Sequence, residues 1–157
     1  MAFFNIFFKT LGILIGVSTF IIILNLSFFL FENSEPEIKL IQGQENSKNI
    51  IATLNINGPI INNINSTFLS DISEYIDPNG VKNSLDVLKK IKPKILIIKI
   101  NSPGGTVTAS SSLEEIIFNF KKETNIEIYF HSSELLASGG YWVATSGDKI
   151  FASYGSI

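Results

Sequence analysis

The sequence predicts an α/β domain built on a mainly parallel sheet and preceded by one transmembrane helix. An uncharged apolar stretch fills the chain between Lys9 and Glu32. From residue 50 onward, short apolar runs alternate with stretches of helical periodicity. Two of those runs lead into turns of small residues, Ser102-Pro103-Gly104-Gly105 and Ala137-Ser138-Gly139-Gly140.

Leu11 to Phe31 is dominated by Ile, Leu, Phe and Val. At about 1.5 Å per residue this length crosses the roughly 30 Å hydrocarbon core of a bilayer. A cleaved signal peptide would carry a shorter apolar region and a small-x-small site after it, and Phe29-Leu30-Phe31-Glu32 offers none. A buried core helix would show a polar face, and nothing polar interrupts this run for long. Lys9 precedes the stretch and Glu32, Glu35 and Glu37 follow it, so the positive-inside rule sets the amino terminus in the cytoplasm. The expected organisation is a cytoplasmic tip and anchor over residues 1–31, a polar linker over 32–48 and the α/β domain over 49–157, in a periplasmic or extracytoplasmic space.

Within the domain, Ile50, Ala52, Leu54 and Ile56 alternate onto one face of a strand that ends at Asn57-Gly58-Pro59. Residues 62–65 read as a turn. Asp77-Pro78-Asn79-Gly80 opens a helix with Val81, Leu85, Leu88 and Ile91 on one face, and Pro93 stops it. Ile95 to Ile100 is almost continuously apolar and reads as a strand buried on both faces. Past Pro103-Gly104-Gly105, Leu113, Ile116, Ile117 and Phe120 recur at helical spacing. Ile126 to Phe130 is the next strand, a helix begins at Ser138, and Lys149 to Ala152 is the last strand. Alternation of this kind gives right-handed crossovers and a parallel sheet.

Composition excludes several chemistries. The 157 residues include no cysteine and a single histidine, and the formal net charge is -2. There is no thiolate nucleophile, no disulfide framework and no multi-histidine metal centre, so neither metal nor cofactor is expected. No long basic run marks a nucleic-acid surface.

A serine hydroxyl is a useful nucleophile when substrate can reach it and backbone N–H groups face the developing oxyanion, and flanking glycines permit both. Ala137-Ser138-Gly139-Gly140 alone is equally a tight packing point at a helix start. Paired with the Gly104-Gly105 turn one supersecondary unit earlier, it reads as one half of a site.

Together the two turns resemble the signal peptide peptidase A (SppA) family, membrane-bound serine proteases of the ClpP/crotonase-like fold. The resemblance runs through Ile98-Lys99-Ile100-Asn101-Ser102-Pro103-Gly104-Gly105, Thr108-Ala109-Ser110, Ala137-Ser138-Gly139-Gly140-Tyr141-Trp142-Val143-Ala144 and Gly147-Asp148-Lys149-Ile150-Phe151-Ala152. It implies that Ser138 is the nucleophile, that the N–H groups of Gly105 and Gly139 form the oxyanion hole, and that Ser102 and Gly104 line the substrate site. It further implies a homo-oligomer anchored through residues 10–31, with leftover signal peptides or other short hydrophobic peptides as substrates.

The family takes its general base from a lysine downstream of the nucleophile, and burial can tune a lysine for that task. Lys149, the one lysine after Ser138, matches a structural strand of the family, and Lys99 matches a basic position that is not the base. The expectation is therefore a Ser/Lys dyad whose lysine lies beyond Ile157, in a chain cut short. The alternative is a non-catalytic truncated homologue that at most binds peptide or assembles. His131, oriented by Asp148 or Glu134, is a weaker route to the same proton transfer. Asn101 and Ser102 are ordinary turn residues as well as candidate substrate contacts. Tyr141 and Trp142 read as core or membrane-proximal packing residues rather than catalytic groups.

Overall fold

A computed structural model describes residues 2–30, 36–44, 47–62 and 74–157. The chain divides into two units, Met1–Glu35 and Pro36–Ile157. Most of the expected turn at residues 62–65, part of the expected linker and Phe31 lie outside the described residues.

The first unit contains helix α1 (Ala2–Leu30). Its stretch Phe3–Ser27, 25 residues, is long and apolar enough to cross a membrane. Several of its polar side chains bond back to the helix backbone. Thr10 Oγ1 donates to Ile6 and Phe7 carbonyls, Thr19 Oγ1 to Ile15 and Gly16, and Asn25 Nδ2 to Ile21. Such back-bonding lets a polar side chain sit in hydrocarbon without an unpaired donor.

The second unit follows the expected alternation: β1 (Ile51–Asn57), α2 (Pro78–Ile91), β2 (Ile95–Asn101), α3 (Val107–Thr124), β3 (Glu127–Ser132), α4 (Gly139–Ala144) and β4 (Lys149–Ala152). Asp77 caps α2 by accepting from Asn79 N at 3.4 Å and Gly80 N at 3.3 Å, and Pro78 occupies the first turn, where no N–H is needed. Lys92, left-handed at φ 54°, ends that helix just before Pro93. Thr106 caps α3, its Oγ1 accepting from Ala109 N at 3.2 Å.

The four strands are parallel and lie in chain order, β1-β2-β3-β4. One face of the sheet carries the core. Leu96, Ile98 and Ile100 of β2 and Ile128 and Phe130 of β3 pack with Leu85, Leu113, Ile117 and Val143 from the helices. The opposite face corrects the reading of Ile95 to Ile100 as buried on both sides. Ile95 and Ile97 are only half-buried and Lys99 is exposed. The apolar run of β2 is therefore one-sided in its burial among the described residues, because every second residue of a strand turns away from the helices.

The Gly147-Asp148-Lys149 stretch closes this sheet. Asp148 Oδ1 pairs with Lys121 Nζ of α3 at 2.8 Å, and Oδ2 accepts from Ile128 N at the start of β3 at 2.9 Å. The lysine first, and the N–H second, hold the Asp148 carboxyl below its ordinary 3.8. A depressed native pKa contributes stability above the unfolded value, and that stability is lost as pH falls through the native one. Asp148→Ala is expected to cost about 1–2 kcal/mol at pH 7, since it strands a partly buried donor and a solvent-screened ion pair. In urea titrations the gap between wild type and variant should close below pH 4. A gap that persists at pH 2 would overturn this account.

Candidate functional site

The two small-residue turns leave the same end of the sheet. β2 and β3 are neighbours in parallel register, with Lys99 opposite His131, so their carboxyl ends lie side by side. Beyond those ends, Ser102 N donates to Leu135 O at 2.7 Å and Ala137 N to Ser102 O at 3.1 Å. This bridge continues the pairing into the loops and brings Ser138 against Gly104. A side chain on Gly104 would place its Cβ 2.7 Å from Gly139 N and 2.8 Å from Ser138 Cβ, and Gly104 also stands at φ +94°. Only glycine permits both the turn and the contact.

On its other side the glycine turn is held by residues 58–61. Gly58 N donates to Asn101 O, Ile60 N to Gly104 O and Thr106 N to Ile60 O, at 2.9, 2.9 and 3.0 Å. Gly105 lies so close to this segment that a Cβ there would stand 1.8 Å from Ile60 O.

Ser138 is exposed and immediately precedes α4, with φ 50° and ψ -125°. That backbone region is foreign to side-chain-bearing residues and holds the serine under strain at the mouth of a turn. Its Oγ makes no capping bond, and among the described residues it has no hydrogen-bond partner. Gly139 N is a helix-start donor with no partner in its own helix. Among the described residues neither it nor Gly105 N is hydrogen-bonded. An ideal Cβ on Gly139 would lie 3.4 Å from Gly105 N, so the two glycines are in contact. An exposed hydroxyl beside two unpaired N–H donors is an arrangement able to attack a carbonyl and hold the oxygen that becomes negative.

The other candidate residues divide. Ser102 is 0% exposed, and its Oγ accepts from Gly104 N at 3.1 Å. It presents the turn to the site from beneath. His131 sits on the strand face opposite Phe130 and shares a 3.3 Å hydrogen bond with Ser153 Oγ. Asp148 is engaged at the far end of β3 and does not orient that ring. Lys149 Nζ lies 5.3 Å from the Tyr129 ring centre, a surface cation–π contact. Tyr141 and Trp142, read as core or membrane-proximal packing, are exposed, which corrects the core reading alone. The six residues of α4 bury Gly139, Gly140, Val143 and Ala144, which leaves both aromatic side chains on the outer side. Sequence reasoning missed Ser110, 1% exposed, whose Oγ has no hydrogen-bond partner among the described residues and would lie 2.2 Å from a Cβ on Gly139. Its place in the Thr108-Ala109-Ser110 stretch was the available signal. Among the described residues no cluster of His, Cys, Asp and Glu could hold a metal ion.

The α/β unit, with its parallel sheet and a strained serine at a helix start facing a glycine turn, has a fold shared with a solved membrane-bound protease. In fold, the chain is similar to the 1510-N membrane protease specific for a stomatin homolog from Pyrococcus horikoshii, at TM-score 0.50 and 18% identity over 70% of this chain and 48% of that one. A mutant of that protease solved with a substrate peptide gives TM-score 0.50 at 17% identity, covering 70% of this chain and 44% of that one.

Two curated proteins add a likeness in sequence: the chain is similar to proteins named signal peptide peptidase A and Protease 4. It is 33% identical over 129 residues to a protein named signal peptide peptidase SppA from Enterococcus faecium, across 80% of this chain and 35% of that protein. It is 29% identical over 119 residues to Protease 4 of Haemophilus influenzae, across 71% of this chain and 17% of that protein. The chain thus spans well under half the length of either. No protein-family model matches it.

Proposed function

We propose that this chain carries the nucleophile half of a membrane-anchored serine endopeptidase that cleaves signal-peptide remnants or other short hydrophobic peptides. The observation that carries the reading is the strained, exposed Ser138 beside the unpaired N–H groups of Gly105 and Gly139. Ser138 Oγ attacks the scissile carbonyl carbon while its proton passes to a base. The N–H groups of Gly105 and Gly139 hold the tetrahedral oxyanion, and collapse expels the amine, which takes that proton. Water then hydrolyses the acyl-serine ester. Ser102 and Gly104 shape the turn along which an extended peptide lies, in the manner of an added strand.

The base in this reading is a lysine amine downstream of Ser138, making a Ser/Lys dyad. Residues 10–31 anchor the protein in the cytoplasmic membrane with the catalytic unit outside, 32–48 act as linker, 49–157 as peptidase domain, and copies assemble as a homo-oligomer. Support for the anchor is the length and apolarity of α1. A second reading, a non-catalytic homologue, is favoured by one observation: Ser138 Oγ has no proton acceptor among the described residues.

Fluorophosphonate labelling separates the two. The chain in detergent is expected to label slowly, and a small primary amine added as a free-base substitute for lysine should accelerate labelling, with Ser138→Ala silent throughout. The same labelling in Ser138→Ala, or none at any amine concentration between pH 7 and 10, would remove Ser138 from the nucleophile role.

A further inference from the structure

We infer that Asn101 is a positioning residue that fixes the Ser138-bearing loop against the glycine turn, rather than a contact for substrate; this rests on the reading of Ser138 as nucleophile. Asn101 closes β2, three residues before Gly104, and its side-chain amide bonds to the last residue of β3 and to the loop that follows. Its Oδ1 accepts from Ser133 N at 3.3 Å, Glu134 N at 3.1 Å and Ser132 Oγ at 3.3 Å, and its Nδ2 donates to Ser133 Oγ at 3.3 Å. Two of those partners are backbone N–H groups, which only donate. The amide orientation is therefore fixed by chemistry, with the oxygen towards the loop.

The backbone of the same residue works in the other direction, its carbonyl accepting from Gly58 N at 2.9 Å. One residue thus ties together the segment that braces the glycine turn, the strand that leads into that turn, and the loop that delivers Ser138 four residues after Glu134. Ser102 adds the next rung through Leu135 and Ala137. Neither hydrocarbon nor a lysine could replace this amide, because the loop needs an acceptor for two N–H groups, while the Ser133 hydroxyl can turn to meet either a donor or an acceptor.

Native-state hydrogen exchange of the whole chain in detergent tests the clamp independently of Ser138 chemistry. Asn101→Leu, of similar size and without polar atoms, is expected to speed exchange of the Ser133 and Glu134 amides roughly tenfold or more, while the Ile98 and Ile100 amides keep wild-type protection. Asn101→Asp keeps the acceptor and should restore protection to within about threefold. In parallel, the maximal fluorophosphonate labelling rate should fall about tenfold in Asn101→Leu at unchanged half-saturation and recover in Asn101→Asp, because a displaced nucleophile loses rate and not probe binding. Unchanged exchange in Asn101→Leu, or no recovery in Asn101→Asp, overturns the clamp. If Asn101→Leu loses protection at Ile98 too, Ser133→Ala removes one of the four bonds at an exposed position. It is expected to raise Glu134 exchange roughly threefold, and no change there also overturns it. Silent labelling in every protein with exchange behaving as expected would instead count against Ser138 as nucleophile.

Discussion

Replacing Ser138 by glycine is expected to abolish fluorophosphonate labelling and to make the protein more stable. The φ of 50° and ψ of -125° at Ser138 stand where glycine is at ease and other residues are not. Strain of this kind costs about 1–3 kcal/mol. Glycine gives back roughly 0.5–1 kcal/mol through its freer unfolded chain, so the net gain is about 1 kcal/mol, a few degrees in midpoint temperature. Ser138→Ala keeps a Cβ in the same backbone region, so it should lose labelling at near wild-type stability. Thermal unfolding of the three proteins in one detergent reads this directly. If the glycine variant melts below the alanine variant, the serine is not held under strain.

The second large effect is expected at Gly105. An alanine there meets Ile60 O at 1.8 Å, Ile60 C at 2.5 Å and Ile60 N at 2.6 Å. All three are backbone atoms, so no rotamer change relieves the clash. The bracing segment has to move, and Ile60 N→Gly104 O and Thr106 N→Ile60 O are lost with it. Gly105→Ala should cost about 3 kcal/mol from overpacking and the two broken bonds. The amine-stimulated labelling rate should fall by roughly 10²–10³, the usual consequence of losing one oxyanion donor. Gly80→Ala is the control. A Cβ there has Asp77 Cβ as its nearest neighbour at 3.9 Å, so the change should be neutral or slightly stabilising and leave labelling intact.

Much of this was legible in the sequence. Val81, Leu85 and Leu88 mark α2 by spacing, Asp77-Pro78 marks its start, and the alternation of strand and helix marks the sheet as parallel, though not its strand order. Ser138 and the Gly104-Gly105 turn stand out because glycine and small residues cluster where chain reversal and close approach are both needed. The one-sided burial of β2 was not legible, since an isoleucine at a strand position looks the same whether or not a helix covers it. The commitment of Asn101 was hidden for a different reason. A side-chain amide reaching across 32 or 33 residues of sequence leaves no local pattern, and Asn before Ser-Pro reads as turn chemistry in any context. The exposure of Tyr141 and Trp142 was masked by their apolar type.

The parallel pairing of β2 with β3 has a consequence for folding as well as for chemistry. Side chains alternate along a strand, so the smallest slip that keeps Ile128 and Phe130 inward is two residues. At about 3.3 Å per residue that slip would carry Ser138 roughly 6–7 Å from the Gly105 N–H. A misregistered sheet could still be folded, apolar inside and protease-resistant, yet chemically silent. Ser138 reactivity therefore acts as a vernier for strand alignment, and labelling during refolding would count only those molecules whose two middle strands had found their true partners.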